Sequence, residues 1–256
     1  MAKASISAVL VVKNEELHLG ECLQSIVNWV DEIIIVDDMS TDNTMNIAKK
    51  FGAKIFQRKL ENEGIHRNWA LDQATHNWVL SIDGDEVVTP ELREEIINAL
   101  ANTDCNAFNI PRRNYIGDHW VRYGGWYPNS TLKLFQKSNF RFQEDHYHAR
   151  ITFKGKAGHL KSDFIHYNYR DFAHYLAKLN NQTNFEAKKW FRDRPNIGAG
   201  WVTWRAIDRF FRAYVAKKGY KDGMVGFMVA LLSAFYQVIS YAKYWEYKSG
   251  KKSVDA

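Results

Sequence analysis

Two carboxylates separated by a single residue follow a short apolar segment in the first hundred residues. They are Asp83 and Asp85, with Gly84 between them. Carboxylate oxygens are the ligands that hard divalent cations prefer, and a cation held by one or two carboxylates can also bind phosphate oxygens. Such a cation neutralises the charge that develops on a leaving diphosphate. The motif predicts either a metal site for phosphate chemistry or, more simply, an acidic turn that caps the next helix.

Two other pairs of adjacent polar residues could assist the same chemistry. Asp37 and Asp38 end a second apolar segment, and a carboxylate at a strand end can accept hydrogen bonds from a nucleobase or a ribose. Arg67, followed by Asn68, lies in a predicted helix, from which a guanidinium can bind a diphosphate through charge-assisted hydrogen bonds. The simpler alternatives are a turn acid beside a helix cap and an ordinary surface arginine.

The elements that must position these residues follow from the apolar pattern. Short apolar runs rich in β-branched residues predict strands, and apolar residues at helical spacing predict helices. The strands are predicted at residues 6–12, 32–37, 53–57 and 78–82. The helices are predicted at residues 17–29, 43–51 and 65–75, and a further one begins at Pro90 with Thr89 as its cap.

This alternation predicts an α/β fold with a mainly parallel central sheet and helices on both faces. Ligands bind beyond the carboxyl ends of the strands in such sheets, so the acidic residues should gather at the ligand-binding edge. Beyond residue 104 we predict a strand at 107–111, a loop-like stretch at 112–142 and a helix at 171–191. Trp120 and Trp126 lie in the loop-like stretch with Gly124 and Gly125, which indicates the wall of a pocket.

The composition is that of a globular protein with a basic balance. Of its 256 residues 46% are hydrophobic and 25% are charged, and the net charge is +6. A basic protein suits nucleic acid, an anionic membrane surface or phosphorylated substrates. The sequence has no RNA-binding signature and no zinc-ligand spacing, so nucleic acid is not expected as a partner. Two cysteines and an apolar start too short for a signal peptide predict a cytoplasmic catalytic part.

The C-terminal segment has a different character. Residues 223–242 include no charged residue, and this length is just sufficient to span a bilayer. The preceding stretch interleaves aromatic residues such as Trp204 and Phe211 with arginines. A basic aromatic helix lies well in the headgroup region of an anionic membrane, so we expect interfacial docking rather than spanning. A buried helical hairpin or a dimer interface is the alternative.

Several segments, taken together, resemble a known enzyme family. The first hundred residues resemble family-2 glycosyltransferases with the GT-A fold, through Val11-Val12-Lys13-Asn14-Glu15, residues 35–42, His66-Arg67-Asn68 and Ser81-Ile82-Asp83-Gly84-Asp85. The later half resembles the bacterial lipopolysaccharide-core β-1,4-glucosyltransferases, through Arg112-Arg113-Asn114-Tyr115, residues 124–129, Leu132-Lys133-Leu134-Phe135 and Ile165-His166-Tyr167. This resemblance implies a GT-A catalytic domain at 1–191, with a nucleotide-sugar half at 1–104 and an acceptor half at 105–191. Residues 192–256 would form the membrane-associating helical extension.

The resemblance also implies an activity and a set of site residues. The expected reaction is transfer of a hexose, glucose in the narrower group, from a UDP-sugar to a lipid-linked or lipopolysaccharide-core saccharide, with inversion at the anomeric carbon. Mg²⁺ or Mn²⁺ would be the cofactor, and the cytoplasmic face of the bacterial inner membrane the location. The residues expected to line the donor are Val11, Lys13, Glu15, Asp38, Arg67 and Asp83. The expected metal ligands are Asp83, Asp85 and His166, a core histidine being the alternative for the last.

Inversion requires a general base that takes the proton of the acceptor hydroxyl. Related enzymes carry it as a glutamate in a His-Glu pair, but the pair reads His148-Ala149 in this chain. Two acids lie just upstream and could act from a shifted loop. Our candidates, in order of preference, are Asp145, Glu144 and His148.

Two other functions fit parts of this pattern. A nucleotidyltransferase also places metal-binding acids at strand ends, but it would carry a glycine-rich phosphate loop after the first strand. This chain has Lys13-Asn14-Glu15-Glu16 there instead. The other alternative is a catalytically inactive glycosyltransferase-like binding protein, because Ala149 replaces the expected glutamate.

Overall fold

The computed structural model describes residues 4–144, 150–194 and 196–251. By compactness the chain forms two units. The first contains Met1–Arg112 and Asn129–Tyr167, and the second contains Arg113–Pro128 and Asn168–Ala256. Each unit has its own hydrophobic clusters. The end of the catalytic domain at residue 191 stays a prediction.

The elements alternate in the first hundred residues as the apolar pattern predicts. The strands are β1 (Ile6–Val12), β2 (Glu32–Asp37), β3 (Lys54–Gln57), β4 (Trp78–Ser81), β5 (Glu86–Val88), β6 (Ala107–Ile110), β7 (Arg112–Ile116), β8 (His119–Trp120), β9 (Thr131–Gln136), β10 (Phe140–Phe142), β11 (Ile151–Phe153), β12 (Ala157–His159) and β13 (Phe164–Tyr169). The helices are α1 (Leu19–Ile26), α2 (Thr44–Lys50), α3 (Glu63–Asp72), α4 (Pro90–Ala101), α5 (Phe172–Asp193), α6 (Ala199–Phe211) and α7 (Gly223–Lys248).

A seven-stranded sheet forms the centre of the first unit, in the order β12-β6-β9-β4-β1-β2-β3. β1 is parallel to β2 and β4, and β2 is parallel to β3. Only β9 runs against its neighbours, since it pairs antiparallel with both β4 and β6. The predicted mainly parallel sheet is confirmed. The carboxyl ends of β1, β2 and β4 therefore meet at one edge.

Helices cover both faces of this sheet because alternate strand residues point in opposite directions. Ala8 and Leu10 of β1 belong to a cluster that includes the buried residues of α1 and α4. Val9, on the other face, belongs to a cluster that includes Ala70 and Leu71 of α3. Local sequence sets the helix starts as well: the Thr89 hydroxyl accepts from Leu92 N–H, with Pro90 at the first helical position.

The stretch 112–142, which the sequence predicts to be loop-like, contains four strands, β7 to β10. These strands are short, and β9 carries a buried lysine, Lys133, where the apolar pattern would need a hydrophobic residue. Their pairing is also non-local, because β9 inserts between two strands that precede it in the sequence. The loop-like prediction is therefore wrong for these residues.

The second unit is mainly helical. α5 begins after Asp171, whose carboxylate accepts from His174 N–H, and a break after residue 193 separates it from α6. α7 packs against both α5 and α6. Within the described residues, Gly219–Lys248 is the one helical segment long and apolar enough to cross a membrane, and its most apolar 18 residues have a mean hydropathy of 1.7.

Candidate active site

Strand ends bring the first candidate residues together. Asp38 N–H donates to Val12 O, which fixes the end of β2 beside the end of β1. Lys13 Nζ lies 2.8 Å from Asp38 Oδ2, and Leu60 N–H donates to Asp38 Oδ1. Burial alone would raise the pKa of Asp38, but the hydrogen bonds and the charge of Lys13 outweigh it and lower the pKa. Asp38 is thus held as a carboxylate at this edge.

Its neighbour Asp37 is completely buried. Asp37 Oδ2 accepts from Ser40 N–H and from Gln57 Nε2, while Asp37 Oδ1 has no hydrogen-bond partner among the described residues. An unpartnered buried oxygen is costly unless a ligand or water satisfies it. Asp37 is therefore a second available acceptor at this edge. The sequence analysis named it beside Asp38 but expected only Asp38 to line the donor.

Glu15 and Val12 lie against Gly84. A Cβ atom at Gly84 would come within 3.0 Å of Glu15 Cγ and 3.3 Å of Val12 Cγ1. A larger residue at position 84 would push Glu15 or Val12 away by a few tenths of an ångström, so glycine favours this close approach, which places Glu15 beside the turn that follows β4. Val11 is half-buried and packs against the cluster on the α3 face of the sheet.

The first carboxylate of the acidic motif is surrounded by cations. Asp83 Oδ2 accepts from Lys133 Nζ at 2.6 Å, and Asp83 Oδ1 lies 3.5 Å from Arg67 Nη1. Lys133 Nζ also donates to Glu86 Oε2 at 2.8 Å. Burial opposes ionisation of Asp83, but Lys133 and then Arg67 hold its pKa well below the usual range. Asp83 is ionised here without any metal.

The second carboxylate has a different partner. Tyr167 N–H donates to Asp85 O, and the pairing of β13 with β5 sets His166 opposite Glu86. His166 Nε2 consequently lies 3.5 Å from Asp85 Oδ2. The predicted metal ligands therefore have different ion-pair partners: Asp85 pairs with His166, and Asp83 pairs with Lys133 and Arg67.

A divalent cation fits this arrangement only with help from a ligand. Among the described residues, no group of three or more His, Cys, Asp or Glu side chains could hold a metal ion by itself. Asp85 and His166 offer two donors, and Mg²⁺ is commonly held by one or two carboxylates together with substrate phosphates. The residues present thus fit a cation whose remaining ligands are diphosphate oxygens.

A cavity of about 600 Å³ opens beside these residues in the first unit. Arg67, Arg112 and Lys133 contribute three cations to its lining, against the carboxylates of Glu63 and Asp83. Arg67 Nε lies 3.0 Å from Glu63 Oε1, so the arginine is oriented by one acid while its other nitrogen faces Asp83. Such a positive surplus suits an anionic ligand.

One candidate base, Glu144, lies beside α3. Asn68 Nδ2 donates to Glu144 Oε1 at 2.8 Å and to Phe142 O, and Asn62 Nδ2 donates to Glu144 O. Glu144 is exposed to solvent. The other two candidates, Asp145 and His148, lie outside the described residues.

Three residues of this region were not predicted from the sequence. Lys133 and Glu86 form the buried ion pair next to Asp83, and both ring nitrogens of the buried His66 have no hydrogen-bond partner among the described residues. Burial, followed by the nearby charge of Arg58, lowers the pKa of His66, so its ring is neutral and can donate or accept. Of these three residues, Lys133 could have been suspected from its place in the sequence, because a lysine inside the apolar run of residues 132–135 needs a buried counter-charge.

This chain is similar to several known proteins over most of its length. Residues 7–160 match the model of the family described as Glycosyl transferase family 2. An uncharacterized glycosyltransferase of Rickettsia conorii is 27% identical over 267 residues, covering 98% of this chain and 93% of that protein. The lipopolysaccharide core biosynthesis glycosyltransferase LpsC of Rhizobium meliloti is 23% identical, covering 95% and 93%. Among solved structures, S. aureus TarS 1-349 in complex with UDP has a TM-score of 0.49 at 15% identity, covering 96% of this chain and 92% of that one.

Proposed function

Because this chain belongs to glycosyl transferase family 2 and is therefore a glycosyltransferase of GT-A-type fold, we propose that it transfers a hexose from a UDP-sugar to a lipid-linked or lipopolysaccharide-core saccharide. We take the hexose to be glucose, as the sequence resemblance implies. The observation that supports this proposal best is the cationic cavity that opens beside Asp83 at the carboxyl ends of the strands. The lipopolysaccharide core biosynthesis glycosyltransferase among the relatives supports the choice of a lipopolysaccharide-core saccharide as the acceptor.

In this proposal the ends of β1 and β2 bind the nucleoside. Asp38 is an ionised acceptor for a base N–H or a ribose hydroxyl, and its pair with Lys13 fixes its orientation. Glu15, fixed beside Gly84, is placed to accept from a ribose hydroxyl, and Val11 supplies apolar contact. Asp37 Oδ1, which has no hydrogen-bond partner in the described part of the chain, offers a further acceptor.

The diphosphate would bind at the cationic side of the cavity. Arg67 can bind phosphate oxygens through its terminal Nη groups by charge-assisted hydrogen bonds, since Glu63 holds its Nε atom. Lys133 keeps Asp83 neutralised, so the acid does not repel the approaching anion. Asp85 and His166 would hold Mg²⁺ or Mn²⁺, with Asp83 as the third predicted ligand. When bound, the metal supplies positive charge that stabilises the leaving UDP.

Transfer would proceed by one direct displacement at the anomeric carbon. A base removes the proton of the acceptor hydroxyl, the oxygen bonds to the anomeric carbon, and the bond from that carbon to the β-phosphate oxygen breaks. Glu144 is an exposed carboxylate whose side chain Asn68 orients, so it meets the first requirement of a base. Asp145 and His148 stay candidates.

A panel of UDP-sugars tests the donor. With Mg²⁺ or Mn²⁺ present, one UDP-sugar should raise the melting temperature, by an amount that grows with the logarithm of its concentration, and should be consumed when acceptor is added. The matched GDP-sugar should do neither. If no nucleotide-sugar stabilises the protein with either metal, the proposal is wrong. Binding without any turnover would instead favour the inactive glycosyltransferase-like alternative.

The metal and the base need separate tests. Asp85→Ala should abolish the dependence of turnover on Mn²⁺, whereas Asp104→Ala, which removes an exposed acid paired with Lys156, should leave it unchanged. Glu144→Gln and Asp145→Asn, compared for kcat, identify the base as the acid whose amide variant loses about a hundredfold or more. Equal and full activity in both variants would exclude both acids.

We also propose that the second unit docks on an anionic membrane surface. Trp204, Ile207 and Phe211 recur at helical spacing on α6, and all three are more than half exposed. On α7, Met224 is 73% exposed, and only 33% of the most apolar 18-residue stretch of this helical segment is buried. Such a face, flanked by basic residues, suits the headgroup region and the inner-membrane location proposed above.

Vesicle flotation tests the docking. Trp204→Glu with Phe211→Glu should weaken binding to phosphatidylglycerol-containing vesicles by more than about tenfold, because two aromatic side chains can no longer be buried in lipid. Leu17→Glu, at an equally exposed apolar position of the first unit, is the control. Unchanged flotation of the double variant would show that this face does not contact the membrane.

A further inference from the structure

A second cavity lies within the helical unit, and its lining is chemically unusual for the interior of a helix bundle. Its volume is about 370 Å³, and it shares no lining residue with the cavity beside Asp83. Helices α5, α6 and α7 all contribute polar or charged side chains to it, and the aromatic rings of Trp126 and Tyr236 complete the wall. A cavity of this size is at the lower end of the range of about 300–1,000 Å³ typical of small-molecule sites.

One of its two arginines is firmly held. Arg205 Nε donates to Gln237 Oε1 at 2.9 Å, and its guanidinium stacks 4.6 Å from the centroid of the Trp201 ring. Gln237 is itself only 3% exposed. A guanidinium oriented by a buried amide and an aromatic face is pre-organised, so little conformational entropy is lost when its remaining N–H groups bind a ligand.

The other arginine has no partner among the residues that the structure describes. Arg209 lines the same cavity one helical turn further along α6, and its guanidinium makes no hydrogen bond or ion pair with any described residue. The nearest acid on this helix, Asp208, is taken by Arg212, whose Nη2 lies 2.7 Å from Asp208 Oδ2. Arg209 is therefore available to a ligand.

The cavity carries a positive surplus. Glu186 is the one carboxylate in its lining, and it accepts from the Trp190 indole N–H at 2.7 Å. Burial lowers the pKa of Arg205, and the repulsion between its charge and those of Arg209 and Arg194 lowers it further. An anion inside the cavity would remove this repulsion.

The rest of the lining is that of a saccharide site. Tyr236 keeps its hydroxyl proton, since burial and then Glu186 raise its pKa to about 12, and Ser233 adds a second hydroxyl. Hydroxyl, amide and carboxylate groups bind sugar hydroxyls, and an aromatic ring such as that of Trp126 packs on the apolar face of a sugar ring. A purely apolar ligand would leave these polar groups without partners.

We infer that this cavity is a second ligand site, which binds a monosaccharide unit bearing a phosphate group. Arg205 and Arg209 bind the phosphate through charge-assisted hydrogen bonds, and Glu186 with the hydroxyl groups binds the sugar. The inference does not depend on the proposed donor site, because it concerns binding to other residues and not turnover.

Calorimetric titration of the full chain with glucose 6-phosphate, glucose and inorganic phosphate tests it, with UDP present to occupy any nucleotide site. Glucose 6-phosphate should bind about tenfold more tightly, or better, than glucose or phosphate alone, since only it engages both halves of the cavity. Arg209→Gln should weaken it by about tenfold or more. Because Arg209 has no described partner, this variant should fold normally.

Arg212→Gln is the matched control, since it removes the same charge nearby without touching the cavity. Its affinity for glucose 6-phosphate should equal that of the unmodified protein. Three outcomes overturn the inference: no binding of glucose 6-phosphate, equal binding by the Arg209→Gln variant, or inorganic phosphate binding as tightly as the sugar phosphate. Loss of affinity in both arginine variants alike would likewise indicate general charge attraction and refute a defined site.

Discussion

Lys133→Met should destabilise the first unit and make its stability depend on divalent cations. Lys133 Nζ lies 2.6 Å from Asp83 Oδ2 and 2.8 Å from Glu86 Oε2, and the lysine side chain is only 9% exposed. Methionine keeps most of the apolar stem but carries no charge. The two carboxylates would then lose the cation that they share.

The expected loss follows from the cations that remain. Removing one partner of a buried ion pair costs about 3–5 kcal/mol, because the other charge stays buried without compensation. Asp83 keeps Arg67 at 3.5 Å and Glu86 keeps Arg112 at 3.6 Å. We therefore expect a loss of stability at the lower end of this range, about 3 kcal/mol. For a chain of this size the melting temperature should fall by about 6–12 °C.

Thermal unfolding, first with a chelator and then with Mn²⁺, measures both effects. The variant should recover part of the lost Tm in Mn²⁺, since a divalent cation can replace the ammonium group beside the two acids. Lys154→Met, at an exposed position of the same unit, is the control and should have the same Tm as the unmodified protein. An unchanged Tm for Lys133→Met without metal would refute the reasoning about the ion pair. A lowered Tm that Mn²⁺ does not raise would refute the reasoning about the cation.

Three further changes test the strand ends and the packing behind them. Burial would raise the pKa of Glu32, but its hydrogen bonds, first that from Lys54, lower it to about 2, so Glu32→Gln should reduce the free energy of unfolding by about 3 kcal/mol at pH 7. In urea titrations that difference should shrink as the pH falls from about 4.3 towards 2, because Glu32 then binds a proton in the unfolded chain but not yet in the folded one. A difference that stays constant over this pH range would contradict the prediction. Asp38→Asn should raise the KM for the UDP-sugar about tenfold with little change in kcat, and steady-state kinetics in which only kcat falls would argue against nucleoside binding. Asn68→Leu should lower kcat more than it changes KM, because the side chain of Glu144 loses its hydrogen bond; full kcat would show that this contact is unimportant for turnover.

The first hundred residues are predictable because each element carries its own local signal. All six residues of β2 are buried, and the four in its middle, Ile33 to Val36, form the continuous apolar run that is typical of a covered parallel strand. Because β1, β2 and β4 are parallel neighbours, the residues that follow them lie at the same edge of the sheet, independently of the conformation of the connecting loops. Asp38 and Asp83 could therefore be placed at a common site from the sequence alone.

The partners of these acids could not be predicted in the same way. Lys133 meets Asp83 from a strand fifty positions later in the chain, and the antiparallel insertion of β9 that brings it there leaves no local signal. Asp85, two residues after Asp83, turns instead towards His166, because β13 pairs with β5. Adjacency in sequence suggested one metal site for both acids, while the ion pairs of the fold give them separate surroundings.

Gly64→Ala tests whether the packing of α3 positions the candidate base. A Cβ atom at Gly64 would lie 2.0 Å from Gln143 O and 3.2 Å from Glu144 Cα, so either the helix start or the segment before residue 145 must move. Overpacking of this kind costs about 1–3 kcal/mol. The movement also displaces Glu144, whose backbone oxygen accepts from Asn62 Nδ2.

We therefore expect a lower kcat with a nearly unchanged KM for the UDP-sugar, measured at a temperature where the variant is fully folded. Gly20→Ala is the matched control: it lies in α1 of the same unit, and its Cβ would meet only Ile47 Cγ2, at an ordinary 3.9 Å. It should keep full activity and gain stability, because alanine is the better helix former by about 1 kcal/mol. If Gly64→Ala loses stability but keeps its kcat, the contact between α3 and residues 143–144 supports the fold alone, and the base must act from a position that this contact does not fix.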